Sequence, residues 1–514
     1  MNNRKLPVLG GLFLSAIVVA CSDGGQSAST SGTTTESMPE ADPAPAVMAA
    51  SVAVGDVVET QWGSVRGETL TDDVVGVSAT IFRGIPYAAP PVGNLRWRPP
   101  QPAQPWDGVR DAVEWPDRCP QGSSSMGAEN PISEDCLYLN VVTDAETTED
   151  KRPVMVFFHG GGLTIGTGNS TTYTHPTLAS KGVVLVTVNS RLGPIGYLSH
   201  PALSAEDENG SSGNYGTLDL KASLDWVQAN IEAFGGDPDN VTIFGESGGG
   251  TKTISQMATP LTEGLFHKAI VQSGSALTSP ERITMLEDAE AKGVQLAEAL
   301  GASGGDDVLA AMREASWEDI IAAGSSDEVG FRANVVVDGY VIPDPVSQIF
   351  SEGRQHDVPL IVGANAGEQG LLEYSVPQMA DLHSSTASSA TYVYNFSQVP
   401  KTWRDEPCVA FHGLELPYVF GSVPTGIDSP TMIFLSGGGG CDSNMPETDE
   451  VDMTVADHAS TIWAQFAKTG DPSVEGLIEW EPYTKSNNRY LDIGAMLEMS
   501  TGIQDAYTPP PNRE

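Results

Sequence analysis

Ser247 stands inside Gly245-Glu246-Ser247-Gly248-Gly249, directly after the apolar run Val241-Thr242-Ile243-Phe244. Upstream, His159-Gly160-Gly161-Gly162 follows a second apolar run, Val154 to Phe158. A serine on a sharp strand-to-helix turn exposes its hydroxyl as a nucleophile, and glycine N–H groups after an earlier strand can receive the charge that develops on a carbonyl oxygen. Glycine suits these positions because a side chain would obstruct the turn or the incoming substrate. The chemistry indicated is acyl transfer through a covalent intermediate. The pentad alone is weak in a chain with 55 glycines among 514 residues, the alternative being a tight glycine turn with an incidental serine. A strand before it, small residues after it and the second glycine tract earlier in the chain argue against that alternative.

Both tracts need strands to hold them. Further strand-like runs at Val183 to Val188, Ala269 to Gln272 and Pro359 to Val362 alternate with helical stretches, which predicts an α/β fold with a central, mostly parallel sheet. Length alone suggests about three domains, but large α/β folds exceed that prior as one unit, and no internal repeat is evident. The stretch from Ile283 to Leu300 is amphipathic and is expected to form a helix at the rim of the fold. With 26 basic against 67 acidic residues the formal net charge is -41, so nucleic acid and anionic lipid surfaces are poor partners. The acids are scattered, which reads as a solvated surface suited to saline surroundings rather than as a binding patch.

Arg4 and Lys5 precede an apolar run from Leu6 to Ala20, too short to span a bilayer, so residues 1–20 read as a signal peptide. Val18-Val19-Ala20-Cys21 resembles the bacterial lipoprotein box, in which the cysteine is lipidated; the alternative is an ordinary secretory signal with a chance cysteine. Residues 21–55 then form a Ser/Thr/Gly/Ala/Pro-rich tether, and residues 56–514 the folded domain. The expected product is an exported bacterial lipoprotein held to a membrane by its N-terminal lipid, on the periplasmic or cell-surface side, with the outer membrane as the expected location. Five cysteines less Cys21 leave four, an even number for an exported chain. No zinc-like spacing, HExxH, P-loop or dinucleotide fingerprint occurs, so no metal and no cofactor is expected.

Gly84-Ile85-Pro86-Tyr87-Ala88, Leu95-Arg96-Trp97, Ser133-Glu134-Asp135-Cys136-Leu137-Tyr138-Leu139-Asn140, Asn189-Ser190-Arg191-Leu192-Gly193 and Phe234-Gly235-Gly236-Asp237-Pro238 follow one another along the chain. In that order they resemble the signatures of the type B carboxylesterase family, which includes the cholinesterases. The likeness runs from about Val57 to Ile493 and implies an α/β-hydrolase fold. It also implies a Ser-Glu-His triad in chain order: Ser247 as nucleophile, Glu368 in Gly363-Ala364-Asn365-Ala366-Gly367-Glu368 as the orienting acid, and His412 in Phe411-His412-Gly413-Leu414-Glu415-Leu416-Pro417 as the base. Gln369 departs from the glycine that usually follows the acid, which leaves Glu373 as a substitute candidate. The resemblance assigns the oxyanion donors to the N–H groups of Gly161 and Gly162, joined by Gly248 after the nucleophile, and makes His159 structural. Gly248 replaces the usual alanine, and the extra glycine is expected to loosen the turn. With parity, the resemblance pairs Cys119 with Cys136; Cys408 with Cys441 then remains.

These residues imply a carboxylic-ester hydrolase acting on small-molecule esters of small to medium size. The loop between Cys119 and Cys136 contains no tryptophan, unlike the choline-binding loop of cholinesterases. Only 44 positions separate Glu368 from His412, fewer than is usual in the family the chain resembles, so some helical cover over the site is expected to be missing and the pocket open; the alternative is that the shortening removes elements irrelevant to binding. Two rival readings stand beside this one: a catalytically silent binding or adhesion protein, and a lipase or aromatic-acid esterase. The sequence leaves the oligomeric state open.

Overall fold

The runs at residues 154–158 and 241–244 are apolar at consecutive positions because both faces of the sheet they enter are covered. Val154, Val156 and Phe158 join one core, while Met155 and Phe157 point to the core on the opposite face. The computed structural model describes residues 53–122, 130–275, 284–302, 307–427, 432, 437–441 and 446–510. The expected signal segment 1–20, Cys21 and the tether as far as residue 52 lie outside the described residues. Val54 donates its N–H to Glu146 O at 2.9 Å, so the chain is already seated ahead of residue 56.

The main sheet contains β1 (Glu68–Asp72), β2 (Val77–Pro86), β3 (Tyr138–Thr143), β4 (Arg152–Phe158), β5 (Val184–Val188), β6 (Gly236–Glu246), β7 (Lys268–Gln272), β8 (Leu360–Asn365), β9 (Thr391–Phe396), β10 (Arg489–Ile493) and β11 (Leu497–Thr501). Their order across the sheet is β11-β10-β9-β8-β7-β6-β4-β5-β3-β2-β1. The stretch from β5 to β10 is parallel throughout. Antiparallel strands close both ends. This is the α/β architecture expected, and its register explains why a site forms. Phe158 on β4 lies beside Gly245 on β6, Glu246 lies beside Gln272 on β7, and Gln272 lies beside Gly363 on β8. Four neighbouring parallel strands therefore end together, and whatever follows each of them meets above the sheet.

Helix α1 (Tyr215–Asn230) places Leu220, Leu224 and Val227 in one core. Helix α2 (Gly248–Ala258) follows β6 directly. Helix α3 (Leu286–Ala299) lies in a third, peripheral core through Leu296 and Ala297, as its amphipathic pattern predicts. It starts later than expected because Thr284 and Met285 are drawn into a two-residue parallel ladder with Val336 and Val337. Helix α4 (Val376–Thr386) follows the loop that carries Glu368. Helix α5 (Glu450–Thr469) covers the second face with Trp463 and Phe466, and it is delimited by an Asp449/Asp452 capping box and Gly470 at φ +78°.

The signature segments largely serve this frame. Arg96 makes a bidentate pair with Glu134, at 2.6 and 2.5 Å. Arg191 and Asp219, both without side-chain exposure, pair at 2.8 and 2.6 Å. Removing one partner of such a buried pair leaves an uncompensated charge and costs about 3–5 kcal/mol. Disulfides join Cys119 to Cys136 and Cys408 to Cys441, with Cα separations of 5.0 and 4.7 Å.

Candidate active site

Ser247 is the single residue between the end of β6 and the start of α2. Its φ of +59° and ψ of -120° are values that a non-glycine residue adopts only under constraint from its surroundings. The constraint is visible on both sides. Its N–H donates to Gln272 O on β7 at 2.8 Å, and its carbonyl accepts from Thr251 N at 3.0 Å. The flanking glycines are a packing requirement: a Cβ at Gly245 would come within 2.5 Å of Gly249, and one at Gly249 within 1.9 Å of Phe158 O.

His412 Nε2 lies 2.7 Å from Ser247 Oγ. On the other side of the ring, Nδ1 makes a short contact with Glu368 Oε1. The second oxygen of Glu368 accepts from Ser273 Oγ and from the Asn365 backbone N–H, each at 2.7 Å, so the carboxylate is fixed as well as paired. Glu373, the substitute, lies on the following turn, Leu371–Ser375, and has no bond to His412. The left-handed residue of the Glu368 loop is Gly370, at φ +81°, rather than Gln369 directly after Glu368. Gln369 is thus tolerated, and its exposed side chain borders the cavity.

Gly161 and Gly162 have φ of +94° and +61°, and a Cβ at Gly161 would lie 2.1 Å from Ile165 O. Among the described residues, no protein group accepts from the N–H of Gly161, Gly162 or Gly248. Gly248 opens α2, so its N–H has no partner within the helix either. A Cβ at Gly248 would come 2.4 Å from Gly162 N. The glycine expected to loosen the turn instead lets the tract close on the helix that follows Ser247. His159 is buried and makes no bond to Ser247 or His412; its Nδ1 lies 2.8 Å from Gly160 O.

Two carboxylates surround His412 besides Glu368. Glu246 Oε1 lies 3.2 Å from His412 Nε2 and has no hydrogen-bond partner. Glu415 accepts from Asn365 Nδ2 at 2.6 Å and from Gln272 Nε2 at 3.2 Å, tying the histidine segment to β8 and β7. Burial, reinforced by Glu415 and Glu368, pushes the Glu246 carboxyl up to about 8. Burial and Glu368 likewise raise Glu415 to about 7. For His412, burial opposes the cation, but Glu246 and Glu368 outweigh it and hold the imidazole above its ordinary value. Glu246 is inside the serine pentad and Glu415 three residues after His412, yet charge alone distinguished neither from the other 65 acidic residues.

The cavity above Ser247 encloses about 650 Å³. Polar groups dominate its wall: Thr251, Ser273, Ser275, Asn334, Gln369 and Ser375, with Leu163, Ala333 and Leu371 as apolar members. The His412 side chain is 39% exposed, so the site opens to solvent.

A parallel sheet with a strained serine at one strand end and a histidine and carboxylate from later loops defines an α/β-hydrolase. The chain belongs to the Carboxylesterase family, whose sequence model matches residues 55–378 and 370–508, and it is a carboxylesterase-type hydrolase. It is 33% identical to fumonisin B1 esterase of Sphingopyxis macrogoltabida, over 87% of this chain and 88% of that one. It is also 33% identical to para-nitrobenzyl esterase of Bacillus subtilis (strain 168), over 85% of this chain and 94% of the relative. A solved PNB esterase structure superposes with a TM-score of 0.74 at 28% identity, covering 88% of this chain and 99% of the other.

Proposed function

We propose that this chain hydrolyses small to medium carboxylic esters through an acyl-enzyme on Ser247, with His412 as proton carrier and Glu368 as its orienting carboxylate. The observation that carries this reading is the bridge made by one imidazole, with Nε2 at 2.7 Å from Ser247 Oγ and Nδ1 on Glu368. His412 takes the serine proton as Oγ attacks the ester carbonyl, and Glu368 holds the tautomer that leaves Nε2 free to do so. The N–H groups of Gly161, Gly162 and Gly248 receive the charge on the carbonyl oxygen. The imidazolium then protonates the departing alcohol, and water enters by the same route to release the acid.

The polar wall and solvent-facing histidine support broad acceptance of compact esters over long alkyl chains, which need extended apolar cover. A silent binding protein has no use for a strained serine held against a base. Ser247→Ala should lower turnover by about a millionfold with the fold intact. A panel of short, medium and long p-nitrophenyl esters, with benzoate, feruloyl and choline esters alongside, checks the range. A maximum at long chains would establish a lipase, and silence across the panel a binding protein. We also infer attachment to a membrane through lipid on Cys21, on the motif alone: fatty-acid labelling of the wild type, lost in Cys21→Ser, is the expected result.

A further inference from the structure

Lys252 carries a buried amine that the proposed mechanism does not use. It lies on α2, five positions after Ser247, is 1% exposed, and has no carboxylate partner among the described residues. Burying an ammonium in this way is costly, and an aliphatic side chain would fill the same space. Its Nζ donates to His159 O at 3.0 Å and approaches His159 Nε2 at 3.2 Å. Nδ1 of the same ring must donate to reach Gly160 O at 2.8 Å, which leaves Nε2 as an acceptor for the lysine. Burial alone drives the amine down to about 7. A neutral amine keeps two hydrogens, and the two His159 acceptors engage both.

We infer that Lys252 is a positioning residue for the oxyanion site, clamping the head of the glycine tract to the helix that carries the nucleophile. His159 immediately precedes Gly160, Gly161 and Gly162, while Gly248 opens the helix to which Lys252 belongs. One side chain therefore spans both halves of the donor set, whose separation decides how well a carbonyl oxygen is received. This rests on the proposed reading of Gly161, Gly162 and Gly248 as oxyanion donors.

The test is Lys252→Met, which keeps the volume and removes the donor. With p-nitrophenyl acetate, kcat should fall about tenfold to a hundredfold with KM little changed, the scale associated with small displacements and lost oxyanion donors. Inhibition by an aryl trifluoromethyl ketone, which forms an oxyanion on Ser247, should weaken by the same factor, while the matching methyl ketone binds as before. His159→Phe removes one acceptor and should act in the same direction without adding to Lys252→Met, and it serves as the test should Lys252→Met not fold. Unchanged kinetics with only a lower melting temperature, or equal weakening of both ketones, would overturn the inference. Ser247→Ala run in parallel separates the two levels. Retained activity there removes the underlying reading, whereas loss there with an unaffected Lys252→Met removes only the clamp.

Discussion

Glu246 and Ser247, adjacent in sequence, both reach His412 Nε2: the carboxylate Oε1 at 3.2 Å and the hydroxyl at 2.7 Å. An uncharged imidazole offers a lone pair at that nitrogen, which suits the serine hydroxyl and repels an ionised carboxylate. A protonated ring reverses the preference. In the proposed mechanism, Glu246 therefore favours the state that His412 enters after taking the serine proton, and it opposes the state from which His412 must start.

The pH dependence follows from this. In the proposed mechanism His412 works unprotonated, and neighbouring carboxylates raise its pKa despite burial, so kcat/KM should climb with pH along a limb lying above the ordinary histidine value of about 6.5. Glu246→Gln removes one source of that rise and should move the limb to lower pH by on the order of one unit. A pH–rate profile of both proteins on a neutral ester measures it. A limb at or below the ordinary value and identical in the two proteins would falsify the account.

The acid loop makes a sharper contrast. Glu368 touches the imidazole and is itself fixed by Ser273 and Asn365, whereas Glu373 does neither. Glu368→Gln should depress turnover by roughly ten-thousandfold, as loss of the orienting carboxylate does in other triads, and Glu373→Gln should leave it nearly unchanged. Steady-state kinetics of the two variants suffice, and a reversed pattern would move the acid to Glu373.

At Gly248 the prediction concerns space. An alanine Cβ would sit 2.4 Å from Gly162 N, well inside contact distance, so Gly248→Ala should push the tract away from the nucleophile. Turnover should drop by about tenfold or more with KM little affected, the pattern of an interaction made only in the transition state. Full activity in this variant would show that the tract yields without cost.

What was legible in the sequence was whatever a local pattern encodes. The two apolar runs announced β4 and β6 because a strand buried on both faces has no polar side, and the glycines announced turns that admit no Cβ. The starting point of α3 was not legible, because Thr284 pairs with Val336 across 52 positions and no local signal carries that register. The roles of Glu246, Glu415 and Lys252 were hidden for a similar reason. Each is an ordinary charged residue until the fold buries it, and the neighbours that give it meaning come from other strand ends.

The histidine loop supplies the remaining test. Cys408 is bonded to Cys441, and beside that bridge Val409 N–H donates to Gly439 O at 3.1 Å. From the sheet side, Gly367 N–H donates to Ala410 O at 2.9 Å and Asn365 Nδ2 to Phe411 O at 2.6 Å. The loop is thus held by a covalent tie on one flank and by hydrogen bonds from the acid segment on the other. A disulfide contributes about 2–4 kcal/mol to a domain, and displacing a catalytic group by about an ångström can cost a hundredfold in rate. Cys441→Ser should therefore lower kcat severalfold or more at temperatures where the domain is still folded. Cys136→Ser, at the bridge remote from His412 in sequence, should lower the melting temperature with a smaller effect on kcat. Kinetics and thermal unfolding of both variants decide the matter: if Cys441→Ser melts earlier but turns over at the wild-type rate, the hydrogen bonds alone position His412 and the bridge serves stability only.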